Sequence, residues 1–337
     1  MIQEWIEIGP IHVALPGAMK LKLGMRGDRI VEVETQFGFL SRTIEREMIG
    51  QVYPSAQLRF SRIDPECALI LDRLFSEAVE KITRTPVSKR VTWIREITSS
   101  LNELSGFLKY LAEMASRLGI DILTHVILKH REALLDLIEL LTGSRHGYYY
   151  IIPGGVRYNL TEGFQERLET WIKAFRADYA RIGALFRWTH SFQNRLQSLG
   201  RVVDSGDFGL ISATAVESPQ SGLVSHVESR LLYAIEQTEA LCAELCSLLI
   251  ERPEGEHLQK VAQNVSKEGV SLGIETGRGH WSLSLSMDKD FKILKVVTTT
   301  PSDHIVPTIA LALQNESFED VPVILASLDF KIPEIDR

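Results

Sequence analysis

The stretch of sequence that decides the fold is residues 92–164, TWIREITSSLNELSGFLKYLAEMASRLGIDILTHVILKHREALLDLIELLTGSRHGYYYIIPGGVRYNLTEGF. Apolar residues recur at three- and four-residue spacing up to about residue 118 and again from about residue 120 to 141, which predicts two long amphipathic helices. Gly143 is a natural end for the second helix. The tyrosine-rich turn that follows contains Pro153-Gly154-Gly155, where proline fixes one φ and two glycines allow unusual conformations. Thr161 has the residue type of a helix N-cap, so a third helix is predicted to begin near Phe164.

Strands are predicted near both ends of the chain. Met19–Leu23 and Ile30–Glu34 alternate apolar and charged residues on either side of Arg26-Gly27-Asp28, a pattern typical of a β-hairpin. A second hairpin is predicted near the C-terminus, from His280–Leu285 and Phe291–Thr298. Both hairpins favour antiparallel pairing, because their strands are joined by short turns.

Helical periodicity fills most of the region between the two hairpins. Further long helices are predicted from Phe164 to Phe192 and from Leu223 to Ile250, with residues 200–222 as a loop. The predicted fold class is α+β: a long-helix bundle with a small antiparallel sheet from the N- and C-terminal parts, which could unite the two ends of the chain. We predict a single domain over residues 1–337, made of an N-terminal β part (1–36), a helical core (41–250) and a C-terminal β part with its tail (275–337).

Composition places the chain among globular proteins and argues against nucleic-acid binding. The 337 residues carry 37 basic and 44 acidic side chains, a formal net charge of −7, whereas nucleic-acid binding favours a basic face. Hydrophobic residues make up 45% of the sequence and the mean hydropathy is near zero. No apolar run reaches the roughly 18 residues of a membrane span, and we see no secretory signal pattern. With cysteine only at Cys67, Cys242 and Cys246, we expect a reducing, cytoplasmic environment.

Short motifs in a shared order connect this sequence to a known family. The chain resembles the D (49 kDa) subunit of respiratory complex I and its sister family, the large subunits of membrane-bound, energy-converting nickel–iron hydrogenases. The resemblance covers nearly the whole chain and implies a hydrogenase large-subunit-like fold. The motifs that carry it are the Gly9-Pro10 loop with its hairpin, Ser41-Arg42-Thr43-Ile44-Glu45, Ala78-Val79-Glu80-Lys81, Arg131-Glu132, Thr142-Gly143-Ser144-Arg145, Pro153-Gly154-Gly155-Val156, and Ser327-Leu328-Asp329 with Asp336-Arg337.

The resemblance also locates where a metal centre would be. In the hydrogenases, an early and a late C-x-x-C pair hold nickel and iron through four thiolates, as soft-metal chemistry requires. By the resemblance, the early pair falls on Asp64 and Cys67 and the late pair on Lys331 and Glu334. Only one thiol remains of four, so we expect no nickel or iron, and no other metal, to be bound by this chain.

The replaced positions would face one another if the ends of the fold meet as the resemblance implies. Two interpretations stay open for Asp64, Glu66, Cys67, Lys331 and Glu334. In the first, Lys331 pairs with Asp64 and a salt bridge fills the former metal site. In the second, the remnant cavity binds a different ligand. A buried charge needs a partner, so exchanging thiolates for opposite charges is physically coherent.

Quinone binding is a second activity that the resemblance raises. The complex I subunit has also lost the cysteines, and it holds the quinone head group with a histidine of the first loop and a tyrosine after the early motif. Those positions fall here on Pro16 and Pro65, whose side chains cannot make hydrogen bonds. His12 matches a neighbouring position and is kept as a candidate residue of the vestigial cavity.

Two further motifs have roles implied by the resemblance. Arg42 would face the iron–sulfur cluster of a partner small subunit, where a cation raises the reduction potential. Glu45 would relay protons, as in the hydrogenase version of the motif, or would simply pair with a nearby arginine on a helix surface. Gly277-Arg278-Gly279, close to Glu275, resembles a turn where arginine and glutamate shape the cavity. Taken alone, that turn is only part of a hairpin.

The expected function of the chain has open alternatives. We expect a subunit of a complex I-like or hydrogenase-related oxidoreductase, without its own nickel–iron site or any other cofactor, which couples electron transfer to a membrane arm. The expected partners are an iron–sulfur small subunit resembling the complex I B subunit, other peripheral-arm subunits and membrane-arm subunits, at the inner face of the cell membrane. The alternatives are a catalytically silent scaffold, or a quinone-reducing or hydrogenase subunit with altered ligands.

Overall fold

A computed structural model describes residues 2–187, 196–203, 214, 216–218, 222–266 and 268–337. Its centre is a bundle of long helices, which confirms the α+β class. The sequence prediction of two helices in the deciding stretch is also confirmed, since these are α4 and α5. The helices of the N-terminal half are α1 (Ile44–Met48), α2 (Tyr53–Phe60), α3 (Ala68–Thr83), α4 (Lys89–Arg117), α5 (Asp121–Thr142) and α6 (Phe164–Arg187).

The apolar face of α4 forms the middle of the bundle. Ile94, Ile97, Leu101, Leu104 and Leu108 are all fully buried there, as their three- and four-residue spacing predicts. They contact α5 on one side and α7 (Val227–Ile250) on the other. Burial of such side chains is worth about 1.5–3 kcal/mol each, so this face stabilises the bundle.

Capping residues mark two of the predicted helix ends, and a third predicted cap does not form. Gly143 ends α5 in the left-handed conformation, with φ 78°, as predicted. Before α7, the side chains of His226 and Ser229 form a reciprocal capping box, so this helix begins at Val227 rather than at Leu223. Thr161 is not seen to cap α6 with its hydroxyl, which instead donates to the carbonyl oxygen of Leu140.

The predicted end of α6 near Phe192 lies outside the described residues, which stop at Arg187 on this helix. The described part of the predicted loop at residues 200–222 contains short strands, β6 (Val202–Val203), β7 (Val216–Ser218) and the start of β8 (Gly222–Ser225). These three strands pair in the order β6-β8-β7. Local β pairing therefore replaces loop in the segments that the structure describes.

Both predicted hairpins form, but they belong to two separate sheets. The first sheet contains β1 (Glu4–Ile8), β2 (Lys20–Arg26) and β3 (Arg29–Gln36) in sequence order. The second contains β9 (Val270–Thr276), β10 (Gly279–Met287) and β11 (Ile293–Thr299), with β10 in the middle. The expectation of one small sheet shared by the two ends of the chain is thus corrected to two three-stranded antiparallel sheets.

Backbone hydrogen bonds join the two ends of the chain beside the first sheet. The N–H of Ile30 donates to the carbonyl oxygen of Glu316 at 3.0 Å, and the N–H of Asn315 donates back to Ile30 at 2.8 Å. The C-terminal part then continues through short helices, and among the described residues no helix is long and apolar enough to span a membrane. The short helices are α8 (Pro301–Ile305), α9 (Ile309–Leu313), α10 (Val321–Ser327) and α11 (Ile332–Ile335).

The second sheet packs on α3 and has its own apolar core. Trp281 and Leu283 of β10 are fully buried against Leu71 and Phe75 of α3. This packing fixes the direction of the β9–β10 hairpin, whose turn then lies over α4. A Cβ on Gly277 in that turn would lie 2.4 Å from the ring of Phe107, so only glycine permits the close approach.

The Pro-Gly-Gly turn is held by a buried ion pair. The turn joins the two-residue strands β4 (Ile151–Ile152) and β5 (Gly155–Val156). A Cβ on Gly154 would lie 2.2 Å from the carbonyl oxygen of Gln259, which explains why glycine is needed there. Beneath the turn, Arg95 makes a bidentate contact with Glu80 at 2.6 and 2.9 Å, and Glu80 also accepts from the Gly154 N–H at 2.7 Å.

Candidate functional site

The structure brings together the four positions that the resemblance assigns to metal ligands. Asp64 and Cys67 lie at the two ends of a single 3₁₀ turn that leads into α3, and Asp64 caps that turn by accepting from the N–H of Glu66. Lys331 and Glu334 lie at the start of α11 in the C-terminal tail. All four are at least partly buried, and Glu334 is fully buried.

Arg278 is the residue that connects these positions. It reaches the site from the β9–β10 turn and is only 9% exposed. Its Nη1 lies 2.6 Å from Glu334 Oε1, 3.5 Å from Asp64 Oδ2 and 3.9 Å from Cys67 Sγ. Its Nη2 donates to the carbonyl oxygen of Asp329 at 2.8 Å, and its Nε lies 3.0 Å from the carboxylate of the same residue. One guanidinium on the β9–β10 turn therefore contacts both the early segment and the C-terminal tail.

Lys331 does not pair with Asp64, which corrects the salt bridge that the sequence suggested. Its Nζ lies 2.6 Å from Asp329 Oδ1 and 3.5 Å from Glu66 Oε2. Asp64 turns instead toward Arg278. The physical reason is geometric: the planar guanidinium offers five donors in a fork and can serve several carboxylates, whereas the lysine finds a carboxylate two residues away on its own segment.

The ion pairs continue from the buried site toward the surface. Glu66 also pairs with Lys109 of α4, whose side chain is partly exposed. Burial lowers the pKa of Lys109 to about 8. We refer to the residues Asp64, Glu66, Lys109, Arg278, Asp329, Lys331 and Glu334 as the ion cluster. With every member ionised it holds three cations and four carboxylates, a net charge of −1.

Burial raises the pKa of two side chains of the site. Glu334 accepts from the backbone N–H and the hydroxyl of Ser302 at 3.1 and 2.6 Å. Desolvation raises the pKa of Glu334, against the opposing effect of Arg278. Burial likewise raises the pKa of the Cys67 thiol well above its usual value, with the charge of Asp64 acting in the same direction. A thiol in this setting is a poor metal ligand, because the thiolate is the species that binds metal.

The residues at the four positions do not fit a nickel–iron centre. Such a centre needs soft thiolate ligands, and Cys67 is the only sulfur among these positions. The ammonium group of Lys331 has no free electron pair to donate while it is paired with Asp329. In the parts of the chain that the structure describes, no group of three or more histidine, cysteine and acidic side chains is arranged to hold a metal ion.

A small cavity remains beside the ion cluster. Its walls include Cys67, Glu103, Phe107, Gly277 and Lys331, and its volume is about 20 Å³. This is room for about one water molecule. Burial raises the pKa of Glu103 to about 7, although its carboxylate accepts a long hydrogen bond from the Gly277 N–H. A quinone ring does not fit in this space in the present conformation.

Arg42 lies beside the ion cluster and is fully engaged with backbone carbonyls. Its guanidinium donates to the carbonyl oxygens of Arg62 and Ile63, just before Asp64, and to that of Pro333 in the tail. Burial lowers its pKa, against the nearby charge of Asp64. Arg42 therefore links the early segment to the tail, whether or not it also faces a partner's cluster.

Glu45 and His12, the other two sequence candidates, do not contact the ion cluster. Glu45 accepts from the N–H of Thr298 at 2.8 Å and lies 3.8 Å from the Nε of Arg337. An arginine is thus close to Glu45, as the interpretation of Glu45 as the partner of a nearby arginine requires. His12 is exposed, and its Nδ1 accepts from the N–H of Ala14 within its own loop.

Sequence reasoning missed several members of the site. The sequence places Arg278 only in a turn that could shape a cavity, and Asp329 only in a family motif. Lys109 and Glu103 occupy polar positions of a long amphipathic helix, where most such residues face solvent. The only signal for them was that they lie on the helix whose apolar face forms the core, a signal too general to single them out.

Comparison with known proteins gives consistent matches. Residues 118–223 match the family described as the respiratory-chain NADH dehydrogenase 49 kDa subunit. The D 1 subunit of NADH-quinone oxidoreductase from Anaeromyxobacter sp. (strain K) is 25% identical over 98% of this chain and 96% of its own length. The D subunit of F(420)H(2) dehydrogenase from Methanosarcina mazei is 31% identical over 48% of this chain and 43% of its own length.

The fold has a close counterpart among solved structures. A chain of the membrane-bound sulfane sulfur reductase, an archaeal respiratory membrane complex, superposes with a TM-score of 0.89. The superposition covers 100% of this chain and 99% of the other, at 23% sequence identity. At this identity the likeness establishes the fold and leaves the chemistry to be argued from the site.

Proposed function

We infer that the chain belongs to the family of the complex I 49 kDa (D) subunit and the nickel–iron hydrogenase large subunits, and on this premise we propose that it is a subunit of a complex I-like respiratory membrane complex. In that complex it packs against an iron–sulfur small subunit and couples electron transfer there to a membrane arm. It lies peripherally at the cytoplasmic face, in contact with other peripheral-arm subunits. It does this without nickel or iron of its own.

The ion cluster is the observation that carries this proposal. The four positions of the hydrogenase metal ligands lie together, yet one guanidinium contacts three of them and a lysine is the fourth. A cluster of this kind provides fixed charges and exchangeable protons in place of metal chemistry. Electrostatic coupling therefore suits the site better than hydrogen activation.

The arrangement of charges supports a path between the buried site and the surface. From the fully buried Glu334, ion pairs run through Arg278, Asp329 and Lys331 to Glu66, and from there to the partly exposed Lys109. Arg42 lies beside one end of this path, close to Asp64.

Coupling would work through protonation of the cluster. The partner's iron–sulfur cluster would supply the electron, and its reduction near Arg42 would add a negative charge beside the ion cluster. Because the ion cluster has four carboxylates for three cations, added negative charge favours uptake of one proton from solvent. Oxidation would release that proton again, so the proton follows the electron without a bond being made to a metal.

Purification of the native membrane complex tests the proposal. An affinity tag on this chain should co-purify a small subunit with an iron–sulfur cluster, seen by electron paramagnetic resonance, together with membrane-arm subunits. Elemental analysis should find iron accounted for by the partner and no stoichiometric nickel. Near-stoichiometric nickel in the isolated chain, or a monomer that captures no such partner, would contradict it.

A catalytically silent scaffold is the second candidate, and the small cavity favours it. The space of about 20 Å³ leaves no room for a substrate larger than water. Replacing Lys109 with methionine separates the two candidates, since this residue ends the path of ion pairs. Under the coupling proposal, the pH profile of electron transfer in the complex shifts. Under the scaffold alternative, the profile stays unchanged while the assembly remains intact.

Two other activities have less support from the site. The solved structure with this fold comes from a sulfane sulfur reductase, and the relative from Anaeromyxobacter is named an NADH-quinone oxidoreductase. Pro16 and Pro65 offer no hydrogen bond to a quinone, and the cavity beside the cluster holds about one water. Either substrate would have to bind at a surface shared with a partner.

A further inference from the structure

The second sheet has two edge strands, β9 and β11, and the chain itself caps the outer edge of β11. The Thr298 N–H donates to the carboxylate of Glu45 at 2.8 Å, and the Thr298 carbonyl oxygen accepts from Arg337 at 3.0 Å. The N–H and C=O of Ile293 bond backbone groups between α1 and α2, at 2.9 and 2.8 Å. Capping of this kind keeps an edge strand from pairing with another chain.

The contacts of Thr298 also determine which way the backbone of β9 faces. Thr298 lies opposite Leu283 of β10, and Leu283 lies opposite Leu272 of β9. In antiparallel strands, the backbone N–H and C=O groups of successive residues face alternate sides. Because those of Thr298 face away from β10, those of Leu283 face β9 and bond with Leu272. Three residues of β9 therefore direct their N–H and C=O groups to its outer side, namely Ser271, Gly273 and Glu275.

The outer edge of β9 is open, in contrast to that of β11. Within the residue ranges that the structure describes, no group hydrogen-bonds with the outward N–H and C=O groups of β9. The register of β9 with β10 is regular over seven pairs, whereas a bulge interrupts the register of β10 with β11. β9 contains neither proline nor lysine, which often protect an edge, and its one charge, Glu275, lies next to the turn.

The core-facing side chains of β9 are also incompletely covered. In the middle strand β10, Leu283 and Leu285 are at most 2% exposed. Val270, Leu272 and Ile274 of β9 pack against the same core but are only partly buried. The opposite face of β9 is exposed and carries small or polar residues. A strand that fits beside β9 therefore has apolar side chains on one face and polar side chains on the other.

A different sequence fits this edge better than a second copy of β9. Gly273 is the middle one of the three outward residues. Antiparallel pairing of two β9 strands about Gly273 would place two glycines opposite each other. The centre of such a ladder would lack the cross-strand side-chain contacts that stabilise a sheet.

We propose that the outer edge of β9 binds an extended segment of a partner subunit, which pairs with residues 271–275 as a fourth strand of the sheet. The apolar residues of this segment cover Val270, Leu272 and Ile274. Backbone hydrogen bonds supply affinity, and the alternation of side chains supplies specificity. β9 leads directly into the turn that carries Arg278, so the bound segment is connected to the ion cluster through the chain. The inference rests on the proposed function, in which this chain has partner subunits.

Hydrogen exchange measured at single residues compares the purified native complex with the isolated full-length chain. In the isolated chain, the three outward amides of β9 should exchange fast, and that of Leu272 slowly because it bonds with β10. In the complex, the outward amides should exchange at least about tenfold more slowly. The Thr298 N–H is the internal control, since Glu45 accepts from it in the chain alone and it should exchange equally in both samples.

Ser271→Pro tests the pairing in a second way. Proline removes an outward N–H that the ladder with β10 does not use, and edge strands tolerate proline at such a position. The unfolding midpoint of the isolated variant should stay within about 2 °C of the wild type. The amount of the partner that co-purifies with the variant should fall several-fold. Ser271→Ala is the matched control, because it removes the hydroxyl contact with Ser284 but keeps the N–H, and it should retain the wild-type amount.

The exchange measurement needs no variant, so it decides the matter even if Ser271→Pro does not fold. Outward amides of β9 that stay unprotected in a complex containing its partner subunits would overturn the proposal and leave the proposed function intact. Protection that appears in the isolated chain as its concentration rises would place a second copy at this edge and overturn it too. Equal retention of the partner by folded Ser271→Pro and Ser271→Ala would have the same meaning. A chain that captures no partner subunit would contradict the proposed function, and this inference with it.

Discussion

The guanidinium of Arg42 donates a hydrogen bond to the carbonyl oxygen of Pro333, which lies 291 positions later in the chain. The same guanidinium donates to the carbonyl oxygens of Arg62 and Ile63. Arg42 thus fastens the C-terminal tail to the segment before Asp64. A residue whose expected role concerned a partner's cluster also has a structural role within its own chain.

The first prediction concerns stability at this position. Arg42→Met removes all three hydrogen bonds to carbonyl oxygens, and we expect it to lower the free energy of unfolding by about 2–4 kcal/mol. Arg42→Lys keeps the charge but cannot reach three acceptors with one ammonium group, so an intermediate loss is expected. Urea unfolding measures both values, and hydrogen exchange should show faster exchange in α11. Equal stability of all three chains would show that these contacts contribute nothing.

The same variants test the position of Arg42 relative to a partner's cluster. At an effective dielectric of about 20, a unit charge some 5–6 Å away contributes on the order of 3 kcal/mol, and solvent reduces this. For a one-electron couple, 3 kcal/mol corresponds to roughly 130 mV, which is the upper limit. In the assembled complex, Arg42→Met should therefore lower one cluster's potential by tens of millivolts, and Arg42→Lys by less. Redox titration followed by electron paramagnetic resonance would reject the assignment if the reduction potential of every cluster stayed unchanged.

The second prediction concerns the pH dependence of stability. Asp72 is fully buried, no described cation pairs with it, and it accepts from Gln57 Nε2 at 3.1 Å and from the Tyr149 N–H at 2.5 Å. Burial raises its pKa to about 8, although these hydrogen bonds oppose the change. Between about pH 4 and pH 8 the folded chain then binds the proton and the unfolded chain does not. Stability therefore falls as pH rises through this window.

Asp72→Asn should remove this contribution, because asparagine is neutral at every pH and keeps an acceptor for the Tyr149 N–H. The fall in the free energy of unfolding from pH 5 to pH 8 should become shallower by up to about 1.4 kcal/mol per pH unit. Glu32→Gln, which removes one exposed negative charge, serves as the control. Parallel pH profiles for Asp72→Asn and the wild type would mean that Asp72 is ionised in the folded chain.

The third prediction concerns the buried pair under the Pro-Gly-Gly turn. Glu80→Gln leaves Arg95 without its counter-ion and weakens the contact to the Gly154 N–H. Breaking a buried pair typically costs about 3–5 kcal/mol, and we expect a loss in the free energy of unfolding of that size. Glu77→Gln breaks the more exposed pair with Arg73 on the same helix and should cost less than about 1 kcal/mol. Similar losses for the two variants would contradict the assignment of Glu80.

The fourth prediction concerns association of the isolated chain. Leu40 and Ile49 are 60% and 53% exposed, on either side of Arg42, and Phe39, Val52 and Leu58 are further exposed apolar side chains of the same region. Surfaces of this kind are typical of protein interfaces. We expect the lone chain to self-associate and the double variant Leu40→Gln/Ile49→Gln to be more monomeric, as light scattering after size exclusion can measure.

Ile122→Gln provides the control for that experiment, since Ile122 is 78% exposed at the start of α5. It removes as much exposed apolar surface as either substitution alone but lies in another part of the sequence. The double variant should also capture less of the proposed iron–sulfur partner, and Ile122→Gln as much as the wild type. Equal monomer fractions in the double variant and the wild type would place the interface elsewhere.

The helices and hairpins of this protein were determined by local sequence. The three- and four-residue spacing of Ile94, Ile97, Leu101, Leu104 and Leu108 is enough to predict α4, because one apolar stripe must be buried. Alternation around Arg26-Gly27-Asp28 similarly predicts the β2–β3 hairpin. Periodicity starts the helix near residue 223 a few residues early, since the capping box of His226 and Ser229 depends on side chains that a periodicity argument does not weigh.

The site was decided by the tertiary structure. The sequence identifies Asp64, Cys67, Lys331 and Glu334 as one set through their resemblance to ligand positions, and one of its two open interpretations pairs Asp64 with Lys331. In the folded chain Asp64 pairs with Arg278, 214 positions away, and Lys331 pairs with Asp329. Local spacing carries no information on such a choice. It depends on where the packing of β10 on α3 directs the β9–β10 turn, and on the ability of a planar guanidinium to satisfy several buried carboxylates at once.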